Sequence, residues 1–471
     1  MTRPTQTNTT PPAIALISLG CAKNTVDSEC ILGSLISGGL LIAEDPADAD
    51  ICLVNTCGFI DDARAEAAGV LNELAELKKH GRPRVVVALG CLVERIADCP
   101  ELDHFLKEAD ARIGFRDYSR LPDICRGLLN SKAAAPTPLH RSVQPSLPKS
   151  FMDFLKSPRV RIGGVHSAYL KVAEGCSNVC RFCSIPRIRG TQISRPMEDI
   201  LAEAKQLIRS GAREINLISQ DTSNYGQDLY REGRLPALLR KLKDIDSTAW
   251  YRILYCHPRH MSREILDTLA AEPHLCQYID LPLQHISDPI LEAMGRRMRK
   301  EETLRLLDLI ADTIPGGALR TTFIVGYPGE TEEQFNELLD LVRERQFTHL
   351  GVFMYSREPL TPAAKLDDNV PPEEKARRRD ALMLAQLEIS RERMRDQVGS
   401  RMEVILDAFT SPDDNIPDGV CAVGRTRLQA PDVDGVVYLR GEIFKRSELG
   451  QFLEVRVTDA LDYDLIAEPL S

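Results

Sequence analysis

The 471-residue chain lacks any apolar run approaching the roughly 18 residues that a membrane-spanning helix needs. Its first residues, MTRPTQTNTTPP, have no apolar centre and so are not a secretory signal; 1–12 read as a disordered tail. Both absences point to the cytoplasm. An excess of positive charge is missing too: 59 Lys and Arg stand against 69 Asp and Glu, for a net charge of −10. That excludes a surface built throughout to wrap nucleic acid, though not a local basic groove. No repeat of fixed period is present. Hydrophobic residues at 43% and charged residues at 27% are ordinary for soluble globular domains, and the length suits about three of them.

What the chain does have is cysteine, 13 in all. Disulfides are rare in a reducing compartment, so clustered cysteines there indicate metal binding or catalysis. Their placement follows from the segment pattern. The short, nearly all-apolar runs AIALISL (13–19), ICLVNT (51–56) and RVVVALG (84–90) predict parallel strands covered on both faces. A helix is expected over 61–79, with Asp61 and Asp62 at its start and Lys78 and Lys79 at its end, as the helix dipole favours. Residues 13–130 thus form a small parallel α/β domain. A Pro-, Ala- and Ser-rich stretch over 131–160 reads as a linker.

From 161 to 397 strand candidates (168–173, 214–219, 250–255, 277–282, 319–326, 349–355) alternate with amphipathic helices. Six β/α units predict a partial (β/α)6 barrel. The remainder, 398–468, has short strands and Gly, Pro and Asp turns, the pattern of a small all-β barrel. The fold class is therefore α/β with a C-terminal β module.

Cys176, Cys180 and Cys183 lie within EGCSNVCRFCSIPRIRG, directly after the first barrel strand. Three thiolates this close suit one [4Fe–4S] cube with one iron left open. Structural zinc would want a fourth protein ligand. An open iron at a barrel mouth can take the amino and carboxylate groups of S-adenosylmethionine, whose reductive cleavage yields a hydrogen-abstracting radical. A second set is not local. Cys21, Cys57 and Cys91 each follow one of the three N-terminal strands, and parallel strands end on one edge. Each neighbours a glycine (Gly20, Gly58, Gly90), which permits close backbone approach. A second open-iron [4Fe–4S] cluster is expected there. The other seven cysteines (Cys30, Cys52, Cys99, Cys125, Cys256, Cys276, Cys421) are assigned to packing.

The strings SLGCAKNTVDSE, LVNTCGFIDDARAEA, LGCLVERI, YLKVAEGCSNVCRFCSIPRIRG, LISQDTSNYGQDLY, IDLPLQH and TTFIVGYPGETEEQF resemble the methylthiotransferase family of radical S-adenosylmethionine enzymes over 13–466. The resemblance implies three domains in order: an iron–sulfur domain, a radical domain and a TRAM-type β domain. Within the family, IDLPLQHISDPILEAMGR and CGFIDDARAE look like the RimO-type branch, which modifies an aspartate β-carbon on the twelfth protein of the small ribosomal subunit. The alternative is the sister branch that acts on an isopentenylated adenosine in tRNA. Ala22 departs from the proline often found after the first cysteine, and Tyr255-Cys256-His257-Pro258 varies the usual Tyr-x-Tyr-Pro stretch.

The family mechanism uses two [4Fe–4S] clusters, with S-adenosylmethionine as both radical source and methyl donor. It needs an external electron donor and a sulfur source. By resemblance, Gly326 of the Gly326–Glu330 turn would contact the cofactor's adenine. Ser219 and Gln220, beside Asp221, would meet its methionine amino group. The bland readings are a strand–helix turn with Thr331 and Gln334 as a capping box, and a locally bonded Asp turn. His285, after Gln284, ends a strand at the same mouth and is a pocket-lining candidate or a satisfied core histidine. Lys171 and Arg195 could pair with carboxylates of cofactor or substrate, or serve as structural charge.

The β module carries 7 Lys and Arg against 14 Asp and Glu over 398–468. A module that grips tRNA should be basic. An acidic one would repel RNA and attract a basic protein. Direct nucleic-acid binding through this module is therefore not expected, and a small-subunit ribosomal protein is the favoured partner.

Overall fold

The computed structural model describes residues 11–130, 147–411 and 416–470. The expected tail over 1–12 and linker over 131–160 fall mostly outside them. The described residues form two compact units. One runs to Ile162 and also takes in Ser184–Thr191; the other comprises Gly163–Cys183 and the chain from Gln192 onward.

In the first unit, β1 (Ala13–Ser18), β2 (Leu41–Ile42), β3 (Ile51–Thr56), β4 (Val85–Gly90) and β5 (Ala111–Ile113) make a parallel sheet in the order β2-β1-β3-β4-β5. Every residue of β3 and β4 is buried, which is why both read as unbroken apolar runs. Val54, Val86 and Ala88 pack with Ala67, Leu71 and Leu74 of the helix Asp61–Lys79. The latter part of the expected linker is structured. Pro148 starts a helix, Lys149–Phe154, whose Phe151 and Phe154 are buried. Their rings lie 4.8 Å from Phe115 and 5.4 Å from Tyr118, respectively. A proline at a helix start leaves no intrahelical donor missing, so it need not mark a loop.

In the second unit, β6 (Ser167–Lys171) is followed by a two-stranded antiparallel pair, β7 (Ala173–Glu174) with β8 (Ile193–Ser194). Then come β9 (Glu214–Ile218), β10 (Trp250–Ile253), β11 (Leu275–Asp280), β12 (Ala318–Val325) and β13 (His349–Met354). These five and β6 form one parallel sheet in sequential order, β13-β12-β11-β10-β9-β6. Sequential parallel order with helices between strands is the winding of an open β/α barrel. Its core joins strand residues such as Leu217, Ile253 and Phe323 to the helical Ile200, Leu238 and Leu338.

The last five strands close a separate barrel: β14 (Arg401–Phe409), β15 (Val420–Arg425), β16 (Val437–Arg440), β17 (Phe452–Ala460) and β18 (Leu465–Pro469), in the order β14-β15-β16-β18-β17. It is fastened at the N-terminal ends of the parallel strands. Glu214, the first residue of β9, is fully buried between Arg425 at 2.8 Å and Arg252 at 3.1 Å. Asp434 takes Arg320 at 2.7 Å and the Tyr278 hydroxyl at 2.6 Å. The opposite edge of the sheet is left to the cysteine loop.

Candidate functional site

In the first unit the chain leaves β1, β3 and β4 at one edge, and Cys21, Cys57 and Cys91 follow at once. Cys21 is the N-cap of the helix Ala22–Ser37, and Cys91 opens the helix Cys91–Asp98. The neighbouring glycines are fixed by close approach. A Cβ on Gly20 (φ 91°) would sit 2.8 Å from Cys57 Cβ, and one on Gly58 would sit 2.8 Å from the backbone of Leu92. Real Cβ atoms do not approach so closely, so the three loops can converge only with glycine there.

Asn24 ties the loops together. Its Nδ2 donates to the carbonyls of Leu19 (3.0 Å) and Thr56 (3.2 Å), which end β1 and β3, and its Oδ1 lies 3.6 Å from Cys91 Sγ. Asn55 Nδ2 donates in turn to the Asn24 carbonyl at 3.0 Å.

A cation completes the cluster of side chains. Arg189 ends the short helix Ile185–Arg189, in the segment that belongs to the first unit although it directly follows the cysteine motif in sequence. Its Nε donates to Cys91 Sγ at 3.2 Å, and its Nη2 to Asn24 Oδ1 at 2.7 Å and Asp27 Oδ2 at 2.9 Å. Burial pushes the Cys91 thiol up to about 12 against the pull of Arg189. Burial also raises Cys57, with the Phe59 amide opposing it. For Cys21, desolvation is outweighed by Lys23, Arg189 and the first amides of its helix, and the thiol lies below its usual value.

In the second unit, Cys176, Cys180 and Cys183 occupy the irregular loop after β7. Cys176 is buried and the other two are half-buried. Neighbouring side chains point donors at their sulfurs: Asn178 Nδ2 at 3.5 Å from Cys176 Sγ, and Arg296 Nη1 at 3.4 Å from Cys180 Sγ. Asn178 also donates to Asp221 Oδ2 at 2.7 Å; the same oxygen meets His260 Nδ1 at 2.7 Å, and Ser223 Oγ bonds Oδ1 at 2.7 Å. Burial pushes the Asp221 carboxyl up, but His260, His257 and Ser223 outweigh it and hold it below the ordinary range. Burial and Arg296 lower the buried His257 to about 3, so it is neutral at pH 7.

The other candidates fall around this edge with their own partners. Ser219 is buried and its backbone N–H donates to Thr222 Oγ1 at 3.0 Å; the Gln220 side-chain Nε2 donates to Glu174 Oε1. Lys171 Nζ lies 2.6 Å from Glu174 Oε2, both fully buried, and Arg195 bridges the Lys171 carbonyl (2.8 Å) and Glu203 (2.6 Å). Gly326 (φ 68°) donates its amide to Glu330, whose other oxygen lies 3.1 Å from His285 Nε2. A Cβ on Gly326 would meet the Lys375 stem at 2.1 Å, so packing alone requires this glycine. The capping box of Thr331 and Gln334 is present. Gln284 (φ 75°), four residues past β11, and Tyr255 (φ 61°), two past β10, hold a backbone conformation costly for side chains.

Asn24, Asp27, Asn178, Arg189, His260 and Arg296 were not among the sequence candidates. Arg189 stood in the quoted string PRIRG, and Asn178 in CSNVC, so the available signal was a polar residue within or just after a cysteine motif. Among the described residues no three His, Cys, Asp or Glu side chains converge to hold a single metal ion. Zinc would draw its sulfurs to about 2.3 Å from one point. A [4Fe–4S] cube instead takes one thiolate per iron, and three thiols are the donor set that each group of cysteines offers.

Three family descriptions match the chain: the uncharacterized protein family UPF0004 over residues 13–114, the radical SAM superfamily over 170–342 and the TRAM domain over 398–470. The ribosomal protein uS12 methylthiotransferase RimO of Geobacter sulfurreducens is 42% identical over 458 residues, covering 97% of this chain and 98% of that one. Its counterpart in Clostridioides difficile is 40% identical with the same coverage. Among solved structures, the radical S-adenosylmethionine methyltransferase TsrM of Kitasatospora setae matches with a TM-score of 0.54 and 17% identity, covering 75% of this chain and 74% of that one, a likeness of fold.

Proposed function

Because the chain belongs to the RimO methylthiotransferase family of radical S-adenosylmethionine enzymes, we propose that it replaces a β-C–H bond of an aspartate in ribosomal protein uS12 with a methylthio group. S-adenosylmethionine serves as radical source and as methyl donor, while an external electron donor and a sulfur source complete the reaction. It works in the cytoplasm, where ribosomal proteins are found; among the described residues no helix is long and apolar enough to cross a membrane.

The observation that carries this reading is the presence in one chain of two sets of three cysteines, one following the C-terminal ends of β1, β3 and β4 and one on the loop that follows β6 and β7. In the proposal Cys176, Cys180 and Cys183 hold one [4Fe–4S] cluster, and Cys21, Cys57 and Cys91 hold the other. When bound, the first would supply reductive cleavage of S-adenosylmethionine to a hydrogen-abstracting radical, and the second would hold or deliver the sulfur.

The protein's own residues orient and protect these groups. Asn178 and Arg296 aim donors at two sulfurs and fix the ligand loop, and the buried Asp221 carboxylate fixes Asn178. Ser219, Gln220 and Gly326 follow β9 and β12 at the same edge and would contact S-adenosylmethionine bound there. Gln220 and Lys171 share the buried Glu174, so a cofactor carboxylate would compete with Glu174 for Lys171.

The substrate assignment draws support from the β barrel, with an adjustment. Asp407 and Asp434 are engaged by Arg425 and Arg320, so they hold the barrel in place rather than present charge, whereas Asp432 stays exposed while accepting from the Tyr169 hydroxyl. Asp418, Glu448, Glu454 and Asp459 remain exposed to draw a basic protein.

The test is anaerobic reconstitution followed by incubation with S-adenosylmethionine, a strong reductant, and either uS12 or isopentenylated tRNA, with products read by mass spectrometry. A methylthio gain on an aspartate of uS12 is expected. The same gain on tRNA alone would overturn the substrate and leave the two-cluster chemistry standing.

A further inference from the structure

Arg189 is a charge that the reading above does not use, and it is 2% exposed. Taking a guanidinium out of water costs several kcal/mol unless partners compensate. Its partners are the carboxylate of Asp27, itself fully buried, the Asn24 amide oxygen, and the face of Phe115, 5.0 Å from the guanidinium carbon to the ring centroid. It also donates to a sulfur: Nε–H points at Cys91 Sγ from 3.2 Å. Asn24 cannot turn away from this arrangement, because its Nδ2 is held by two strand-end carbonyls and its Oδ1 faces Arg189.

We propose that Arg189 is a positioning and charge-tuning residue of the cluster held by Cys21, Cys57 and Cys91, raising that cluster's reduction potential while Asp27 orients it and moderates its charge. The proposal rests on the reading that these three thiolates hold a [4Fe–4S] cluster. Reduction adds a negative charge to the cube. A cation that hydrogen-bonds a ligand sulfur stabilises that added charge, and net charge and hydrogen bonds to sulfur are among the factors that set such potentials. Arg189, Asp27 and Cys91 are buried, which limits screening of their interaction by water. Asp27 acts in the opposite sense, since its carboxylate disfavours added negative charge. Arg189 also fixes where Cys91 Sγ points, in the way partners of metal ligands commonly do.

The two charges give a signed test. The full-length chain carrying C176A, C180A and C183A, reconstituted anaerobically, isolates one cluster; its iron content and midpoint potential are read by chemical analysis and by EPR-monitored redox titration. Iron bound in this parent establishes the cluster, and its absence would overturn the ligand reading and the proposal with it. With the cluster present, Arg189→Gln is expected to shift the potential down, Arg189→Lys to shift it down by less, and Asp27→Asn to shift it up. A role confined to packing would change iron content or linewidth without opposite shifts. Unchanged potentials, or shifts of one sign in the Arg189 and Asp27 variants, overturn the proposal. Should Arg189→Gln lose its iron, Arg189→Lys and Asp27→Asn decide by the same criterion.

Discussion

The two cysteine sites solve one problem in different ways. Cys176, Cys180 and Cys183 lie within eight residues on an irregular loop, and hydrogen bonds from Asn178 and Arg296 hold that loop. Cys21, Cys57 and Cys91 come from three strand ends, and two of them stand at helix starts. The first set is brought together by sequence proximity and needs the fold only to place the loop. The second is brought together by the sheet itself, so its integrity is inseparable from the packing of its domain. A loop suits a site that must admit a cofactor. A rigid sheet edge with a buried Arg–Asp pair suits one whose charge state must be held.

The strongest way to break the comparison is to remove each set. C176A/C180A/C183A should abolish formation of 5′-deoxyadenosine. C21A/C57A/C91A should retain it while losing the methylthio product, both read by mass spectrometry. Loss of 5′-deoxyadenosine in the second variant would show that the sites are not separable.

Acid should sharpen the contrast through the support beneath the second unit. Arg425 and Arg252 hold Glu214 at about 2 against the cost of its burial, well below the ~4.3 of an unfolded glutamate. That linkage contributes about 3 kcal/mol, fully present above pH ~4.3 and lost as pH falls through about 2. E214Q should therefore flatten the acid dependence of barrel unfolding and leave the first unit's hydrogen-exchange protection unchanged.

Gly58→Ala works the other way. Its Cβ would meet Leu92 backbone at 2.8 Å, so the first unit should lose about 1–3 kcal/mol by denaturant titration, with iron lost from its site only. The smallest effect is expected from Asn178→Ala. Removing a partner of a metal ligand costs about 10–100-fold in metal affinity or activity; because Arg296 still reaches Cys180, the lower end is expected for 5′-deoxyadenosine formation.

What the sequence made legible follows the same division. The runs at 51–56 and 84–90 announced buried parallel strands because every residue in them is covered, and the CxxxCxxC spacing is visible in one line of text. The convergence of Cys21, Cys57 and Cys91 was legible only through the rule that parallel strands end on one edge. Arg189 was not legible as part of that site. Its partners Cys91, Asn24 and Asp27 lie 98, 165 and 162 residues away, and nothing local distinguishes it from the arginines beside it. Nor could a charge count show which acids face outward: Asp434 finds Arg320 across 114 residues and leaves the surface. Pro148 misled because proline marks both linkers and helix starts, and only the burial of Phe151 and Phe154 decides between them.

The central claim is that one chain holds two independent [4Fe–4S] clusters. Iron and sulfide analysis with Mössbauer spectroscopy on the reconstituted wild type and the two triple-cysteine variants tests it most directly. Each variant should hold half the wild-type iron, all of it as [4Fe–4S] cluster. Full iron in either variant, or none in both, would contradict the account.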